Sequence, residues 1–247
     1  MTRIAVIADI HGNDHALEAV LADIDAQGVA LTVNLGDHLS GPLNAARTAD
    51  LLMERDFPSV RGNHDRWLLE KEPQAMGDWD RIAHSELEQR HLDWLADLPP
   101  TRVVDNDLFL CHATPEDDLT YWLEELLPDG TLRQSPLDRV ERYAARIDVP
   151  VILCGHTHLS RAVRLRDGRL VVNPGSVGSP AYSDDTPVPH KVEAGTPHAR
   201  YAILEKSAGG SWDVEFRLIG YDMRPVVERA RERGMMECVS ALSTGWL

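Results

Sequence analysis

Residues 3–8 are apolar at nearly every position and stop abruptly at Asp9, so the run reads as a strand buried on both faces. The pattern after it alternates strands with helices, which makes this an α/β chain. Asn13 can cap a helix on which Leu17, Val20, Leu21 and Ile24 fall at i, i+3, i+4 and i+7. A second strand is expected over 30–35, a helix from Pro42 through Glu54, and a short third strand over 58–61. A helix is expected over 76–96, stopped by Leu98-Pro99-Pro100. Strands at 101–104 and 108–111 flank a hairpin turn at Asp105-Asn106-Asp107.

Beyond the hairpin, 118–147 reads as helical with a break near Pro128-Asp129-Gly130, and 149–153 as another buried strand. Four later runs, 161–165, 170–173, 200–204 and 212–218, read as antiparallel strands. The stretch 175–198 is rich in Pro, Ser, Gly and Asp, and reads as a long loop of the kind that forms lids or binding loops. With no repeat and no low-complexity linker, one domain over 1–247 is expected. It carries helical insertions at 65–100 and 113–147 and the long loop at 175–198.

Charge and cysteine usage narrow the function classes. Net charge is −15, which repels nucleic-acid backbones, so no nucleic-acid polymer is expected as a partner. The basic stretch 224–233 is interrupted by Glu228 and Glu232 and reads as a solvated helix face. No run approaches the roughly 20 apolar residues that span a bilayer, and the start is too quickly charged for a secretory signal. Cys111, Cys154 and Cys238 are odd in number and widely spaced, which favours a reducing cytoplasm over a disulfide framework.

The chemistry lies just past the strand ends. The first strand runs into Asp9-Ile10-His11-Gly12-Asn13, the second into Gly36-Asp37, and the third into Gly62-Asn63-His64-Asp65. The hairpin ends at His112, and the run 149–153 delivers Gly155-His156-Thr157-His158. The pairs Asp9/His11 and His156/His158 are spaced to project to one side of an extended backbone, and strand ends are where α/β sheets bind ligands. Carboxylate and imidazole donors suit zinc, manganese or iron. Asp9, His11, Asp37, Asn63, His112, His156 and His158 are too many for one four-coordinate ion. Two ions sharing a carboxylate would use them, about 3.5–4 Å apart, activating a water and clamping a phosphoryl oxygen.

In this order the blocks resemble the calcineurin-like metallophosphoesterase superfamily, over residues 4–177. The opening Asp9-Ile10-His11-Gly12-Asn13 and the later Asn173-Pro174-Gly175-Ser176 are similar to its small bacterial phosphodiesterase-like branch. The resemblance implies a four-layer α/β/β/α sandwich, two mixed sheets face to face with helices outside. It implies that Asp9, His11 and His158 hold one divalent ion, that Asn63, His112 and His156 hold the second, and that Asp37 bridges them. His64 would protonate the leaving oxygen or stabilise its charge without ligating. Manganese is the first expectation, with iron, zinc, nickel, cobalt or magnesium open.

Two departures are informative. Protein-phosphatase members carry Gly-Asp-x-x-Asp-Arg-Gly, whereas this chain has Gly36-Asp37-His38-Leu39-Ser40-Gly41-Pro42. The arginine that would grip a phosphomonoester and the aspartate that would orient His64 are missing. Some small relatives carry Cys at the position of His64, and the retained histidine is a proton donor for poorer leaving groups.

Other residues are assigned ordinary structural roles. His15, His84 and His91 are expected on helix surfaces. His38, His190 and His198 are not assigned to the site, and Cys111 and Cys154 are small core residues. Trp67, Trp79, Trp94 and Trp122 are expected to pack in the helical insertions, although one near the metals could hold a nucleobase. The expected activity is hydrolysis of a small phosphodiester or phosphomonoester, a nucleotide among the candidates, by a metal-bound hydroxide. The alternatives are a phosphoprotein or dinucleoside-polyphosphate hydrolase, or a metal-binding scaffold with weak catalysis. Oligomeric state is not readable.

Overall fold

A computed structural model describes residues 2–247. In chain order the elements are β1 (Thr2–Ile7), α1 (Asp14–Ala26), β2 (Leu31–Asn34), α2 (Ala45–Met53), α3 (Asn63–Glu70), α4 (Asp78–Glu86) and α5 (Gln89–Asp97). They continue with β3 (Thr101–Val104), β4 (Leu108–Cys111), β5 (Glu124–Leu126), β6 (Leu132–Gln134), α6 (Leu137–Ala144) and β7 (Val151–Leu153). Then come β8 (Arg161–Arg164), β9 (Leu170–Asn173), β10 (Ala181–Asp184), β11 (His190–Glu193), β12 (Ala199–Lys206), β13 (Trp212–Ile219), α7 (Arg224–Glu232) and α8 (Met236–Thr244).

Two mixed sheets carry the architecture. One has the order β13-β12-β1-β2 and the other β3-β4-β7-β9-β8. The period-two alternation of β1 explains how they stack. Ile4, Val6 and Ala8 face the second sheet, meeting Leu108, Leu110, Val151, Leu153 and Val172 in one apolar layer. Ala5 and Ile7 face the other way, onto Leu17, Val20, Leu21 and Ile24 of α1. On the far side of the second sheet, Ile152, Cys154 and Val171 pack against Val140 and Ala144 of α6. The result is the expected α/β/β/α sandwich. No described helix is long and apolar enough to cross a membrane.

The sequence reading needs five corrections in detail. The helix expected over 76–96 is two, α4 and α5, because Leu87 and Glu88 adopt extended backbone between them. The stretch 113–147, read as a helical insertion, contains the β5–β6 hairpin turning at Gly130 and only one helix, α6. The long loop 175–198 carries a hairpin of its own, β10–β11. The third strand over 58–61 amounts to one bridge, Asn34 with Ser59, and Pro42 precedes α2 instead of opening it. Short hairpins of three or four residues per strand give too little alternation to separate from helical periodicity.

What the fold does for function lies in strand direction. β1 pairs parallel with β2, and β4, β7 and β9 run parallel to one another. Five C-terminal strand ends therefore reach one rim of the sandwich. The inter-sheet layer should dominate stability. Leu110→Ala, at a fully buried position, should cost about 2–5 kcal/mol in denaturant unfolding. Leu218→Ala, at a position 54% exposed, should stay within about 0.5 kcal/mol. Similar losses at the two sites would contradict the assigned core.

Candidate metal centre

The loops after the strands are laced together before any side chain is considered. Asp9 N donates to Gly36 O at 3.0 Å and Ile10 N to Asp37 O at 2.9 Å, joining the ends of β1 and β2. Gly155 N donates to His112 O at 2.7 Å, joining β7 to β4. Gly178 N donates to Asp9 O at 3.0 Å and Ser176 Oγ to the same oxygen at 2.7 Å, tying the two sheets together. Asn173 Nδ2 donates to Gly155 O at 2.7 Å and to Thr157 Oγ1 at 3.0 Å, so the 173–176 segment braces the rim. Glycine is required where chain meets carboxylate: a Cβ on Gly62 would strike Asp37 Oδ1, and one on Gly155 would sit 2.9 Å from Asp9 Oδ2.

The backbone at this rim is not extended, which corrects the sequence reading of Asp9/His11 and His156/His158. Asp9, His11, Asp37, His156 and His158 all adopt positive φ, between 50° and 70°. Each such non-glycine conformation costs on the order of 1–3 kcal/mol, and such strain collects at functional sites. Asp and His tolerate this region better than most side chains, and tight left-handed turns aim them inward where an extended strand would not.

The seven expected donors do converge. Asp9, His11 and His158 place one donor atom each within 4.8 Å of one another, and so do Asp37, His112 and His156. His112 Nε2 lies 3.0 Å from Asn63 Oδ1 and 3.2 Å from Asp37 Oδ2, and Asp37 Oδ2 also lies 3.9 Å from His11 Nε2. Asp37 thus stands between the two groups.

Hydrogen bonding decides which ring nitrogen faces inward. His11 Nδ1 is 2.9 Å from Ser40 O, His158 Nδ1 2.7 Å from Ser179 O, and His112 Nδ1 2.8 Å from Leu35 O. Carbonyls only accept, so each Nδ1 carries a proton; His11 and His158, as neutral rings, offer the Nε2 lone pair to the site, and His112 offers its own once the Nε2 proton leaves. His156 is reversed: Nε2 donates to Leu119 O at 2.9 Å, leaving Nδ1 for the site. His11 Nε2 and His158 Nε2 are 3.2 Å apart. Two lone pairs at that distance repel unless a proton or a cation lies between them.

Titration behaviour agrees. Burial lowers His11 to about 4 and His156 to about 3, and drives His158 well below its usual range, so these rings are neutral donors at pH 7. Burial raises Asp9 to about 8. Burial opposes charge on His112, yet the adjacent Asp37 carboxylate raises it to about 10. Burial also opposes ionisation of Asp37, but His112 and His64 hold it well below the carboxylate range. Without a cation, this site compensates its buried charge with protons.

A model of the calcineurin-like phosphoesterase superfamily domain matches residues 2–195. The chain belongs to that superfamily. Among curated relatives, an uncharacterised protein of Methanocaldococcus jannaschii is 27% identical over 248 residues, covering 92% of this chain and 90% of its own. Two solved structures each cover 99% of both chains. A metallophosphoesterase from Sphaerobacter thermophilus has a TM-score of 0.73 at 24% identity. A hypothetical protein from Pyrococcus horikoshii has a TM-score of 0.76 at 20% identity. The superfamily is metal-dependent and takes its name from phosphoester hydrolysis.

Next to the donors stands His64, in the first turn of α3. Its Nδ1 is 2.7 Å from Asp80 Oδ1 and 3.1 Å from Ser40 Oγ, so Nε2 is left for the cleft that the ring lines. A carboxylate therefore does reach His64, contrary to the sequence reading, and it comes from α4. Burial opposes charge on His64, but Asp37 and Asp80 outweigh it and raise its pKa. Asp65, which sequence reasoning passed over, accepts from the backbone of Asp37, His38 and Gly62 at 2.8–3.0 Å and from His38 Nδ1 at 2.7 Å. It staples the loop carrying Asp37 to α3. His38 is fully buried in that contact, away from the cleft.

The cleft over the donors has a volume of about 860 Å³ and is walled by Trp67, Trp79, Tyr121 and Tyr182, with Lys71 and Arg139 among its few cations. Trp67 and Trp79 thus line the opening, whereas Trp122 is core. His91, expected at the surface, is buried and hydrogen-bonded to Glu88 N and Asp50. His190 and His198 do not line the cleft; His190 holds the Tyr121 hydroxyl at 2.9 Å.

Asp9 and His112, at about 8 and about 10, both hold protons at pH 7 in the metal-free protein. Divalent cations bind the deprotonated forms, so loading should release about two protons per chain, and apparent affinity should strengthen as pH rises from ~6 to ~8. Calorimetry in buffers of different ionisation enthalpy measures this. Binding without proton release would contradict the assignment.

Proposed function

We propose that this chain hydrolyses small phosphodiesters or phosphomonoesters with two divalent cations, one held by Asp9, His11 and His158, the other by Asn63, His112 and His156, with Asp37 shared. The supporting observation is the pair of facing, carbonyl-tied imidazole nitrogens of His11 and His158 beside a buried carboxylate, an arrangement that a cation relieves. Mixed nitrogen and oxygen donors without thiolate suit manganese first, with iron, zinc, nickel, cobalt or magnesium compatible. When bound, such a pair neutralises phosphoryl charge and makes a water acidic enough to attack phosphorus.

The chain's own residues supply the rest. His64 presents Nε2 to the cleft and donates a proton to the leaving oxygen, so alkoxide expulsion is avoided. The cleft volume, about 860 Å³, is that of a small-molecule pocket, which favours a small ester over a phosphoprotein segment. Its tryptophan and tyrosine walls favour an ester with a planar group, such as a nucleotide, and leave dinucleoside polyphosphates as a second substrate class. The three cysteines are free, in keeping with a cytoplasmic setting, and we treat residues 1–247 as one domain.

Nitrophenyl phosphate and bis(nitrophenyl) phosphate, assayed with the manganese-loaded protein, test the reaction class. Turnover of at least one is expected. Silence on both, across manganese, nickel, cobalt and magnesium, would contradict it, and fewer than one tightly held ion per chain would favour a scaffold. His64→Ala should lower kcat by about 10²-fold or more with metal content unchanged. Asp37→Asn should reduce metal content and turnover together, and a variant retaining both ions and full rate would remove the shared-ligand role.

A further inference from the structure

The carboxylate on His64 occupies an unusual place in the chain. Where the protein-phosphatase pattern has its aspartate three residues after the metal-site Asp37, this chain has Ser40. Ser40 Oγ donates to Asp80 Oδ1 at 2.6 Å and touches His64 Nδ1 at 3.1 Å, while Asp80 Oδ1 lies 2.7 Å from that same nitrogen. Asp80 is the third residue of α4, where an acid commonly serves its own helix amides. Here its hydrogen bonds go across to Ser40 and His64 instead, and its side chain is only 3% exposed. Ser40 is held from its other end too, since its carbonyl accepts from His11 Nδ1 at 2.9 Å.

We propose that Asp80, with Ser40 as its brace, is a positioning residue that fixes His64 with both ring nitrogens protonated, Nδ1–H held by the carboxylate and Nε2–H aimed at the leaving group. It does so from a helical segment outside the metal-binding blocks. The inference rests on the reading of His64 as proton donor. As the P–O bond to the leaving group breaks, the departing oxygen keeps the electron pair and takes the proton from His64 Nε2. Water supplies the oxygen that replaces it on phosphorus and the proton that restores the ring. A buried carboxylate on Nδ1 holds the ring plane and favours the form with Nδ1–H, the role a third group plays toward a catalytic histidine in general. Ser40 Oγ donates to that carboxylate and so limits its rotation.

The test compares leaving groups. In Asp80→Asn, kcat on an alkyl phosphoester, whose leaving oxygen needs the proton, should fall by about 10²-fold, and on the nitrophenyl ester by less than about tenfold. KM should change by no more than about twofold on either, and metal content should be unchanged. The double variant Ser40→Asp/Asp80→Asn places a carboxylate where Ser40 Oγ now meets Nδ1, and should recover at least about tenfold of the alkyl-ester loss. Nitrogen-15 NMR of His64 reads the same contact without turnover: the ring should report Nδ1–H in the starting protein and lose that bias in Asp80→Asn. Equal losses on both esters accompanied by lost metal, or an Asp80→Asn variant with full alkyl-ester turnover, would overturn the proposal. Inactivity of the unaltered, metal-loaded protein on every ester would sink the hydrolase reading itself, while the His64 resonances would still report whether Asp80 orients the ring.

Discussion

Two imidazole nitrogens that should repel each other are held 3.2 Å apart, and much of the rim exists to hold them there. His11 and His158 each spend their one proton on a backbone carbonyl, so neither can relieve the contact by turning its tautomer inward. Asp9 and Asp37 sit beside them with almost no solvent exposure. Burying carboxylates and lone pairs together is unfavourable on its own, and strongly so in a medium of low dielectric. The stability invested in the inter-sheet layer is what carries that cost. Proton uptake at Asp9 and His112 offsets part of it.

The fold makes this possible because each sheet contributes parallel strands that stop at the same edge. Asp9 and Asp37 come from one sheet, His112, His156 and His158 from the other, and α3 brings Asn63 and His64. Hydrogen bonds from Ser176 and Gly178 to Asp9 O lock the two sheets at the one place where their relative position matters. Thr157 is fixed in the same way, through Glu124 Oε2 at 2.7 Å, with Glu124 Oε1 bound to Arg161 at 2.7 Å. The segment carrying β5 therefore supports the histidine loop as well as walling the cleft. A surface of net charge −15 would repel a phosphoester, and the cations proposed for the centre, with Lys71 and Arg139 in the cleft, would offset that repulsion locally.

Much of the layering was legible because it depends on residue pattern. The apolar run of β1, the i, i+3, i+4, i+7 stripe of α1 and the Asp105-Asn106 turn, whose two residues take positive φ as a tight hairpin requires, are all local signals. The donor residues could also be picked out, since polar ligand types at the ends of buried strands have few structural reasons to be there. Backbone conformation at those residues was not legible: five of the seven donors adopt positive φ, and nothing in Asp-x-His or His-x-His spacing distinguishes a left-handed turn from an extended pair. Asp80 was invisible for a different reason. It lies 16 positions from His64, in a helix whose only sequence signal is amphipathicity, and only packing of α4 beside α3 brings it to the ring. The β5–β6 and β10–β11 hairpins were missed because strands this short, in polar sequence, carry no period of their own.

Anomalous diffraction from crystals soaked in manganese bears most directly on the central proposal, that these donors share a cation pair. Two peaks about 3.5–4 Å apart are expected, one among Asp9, His11 and His158, the other among Asn63, His112 and His156, with Asp37 touching both. A single peak that leaves Asp37 unliganded, or metal bound elsewhere on the acidic surface, would contradict it.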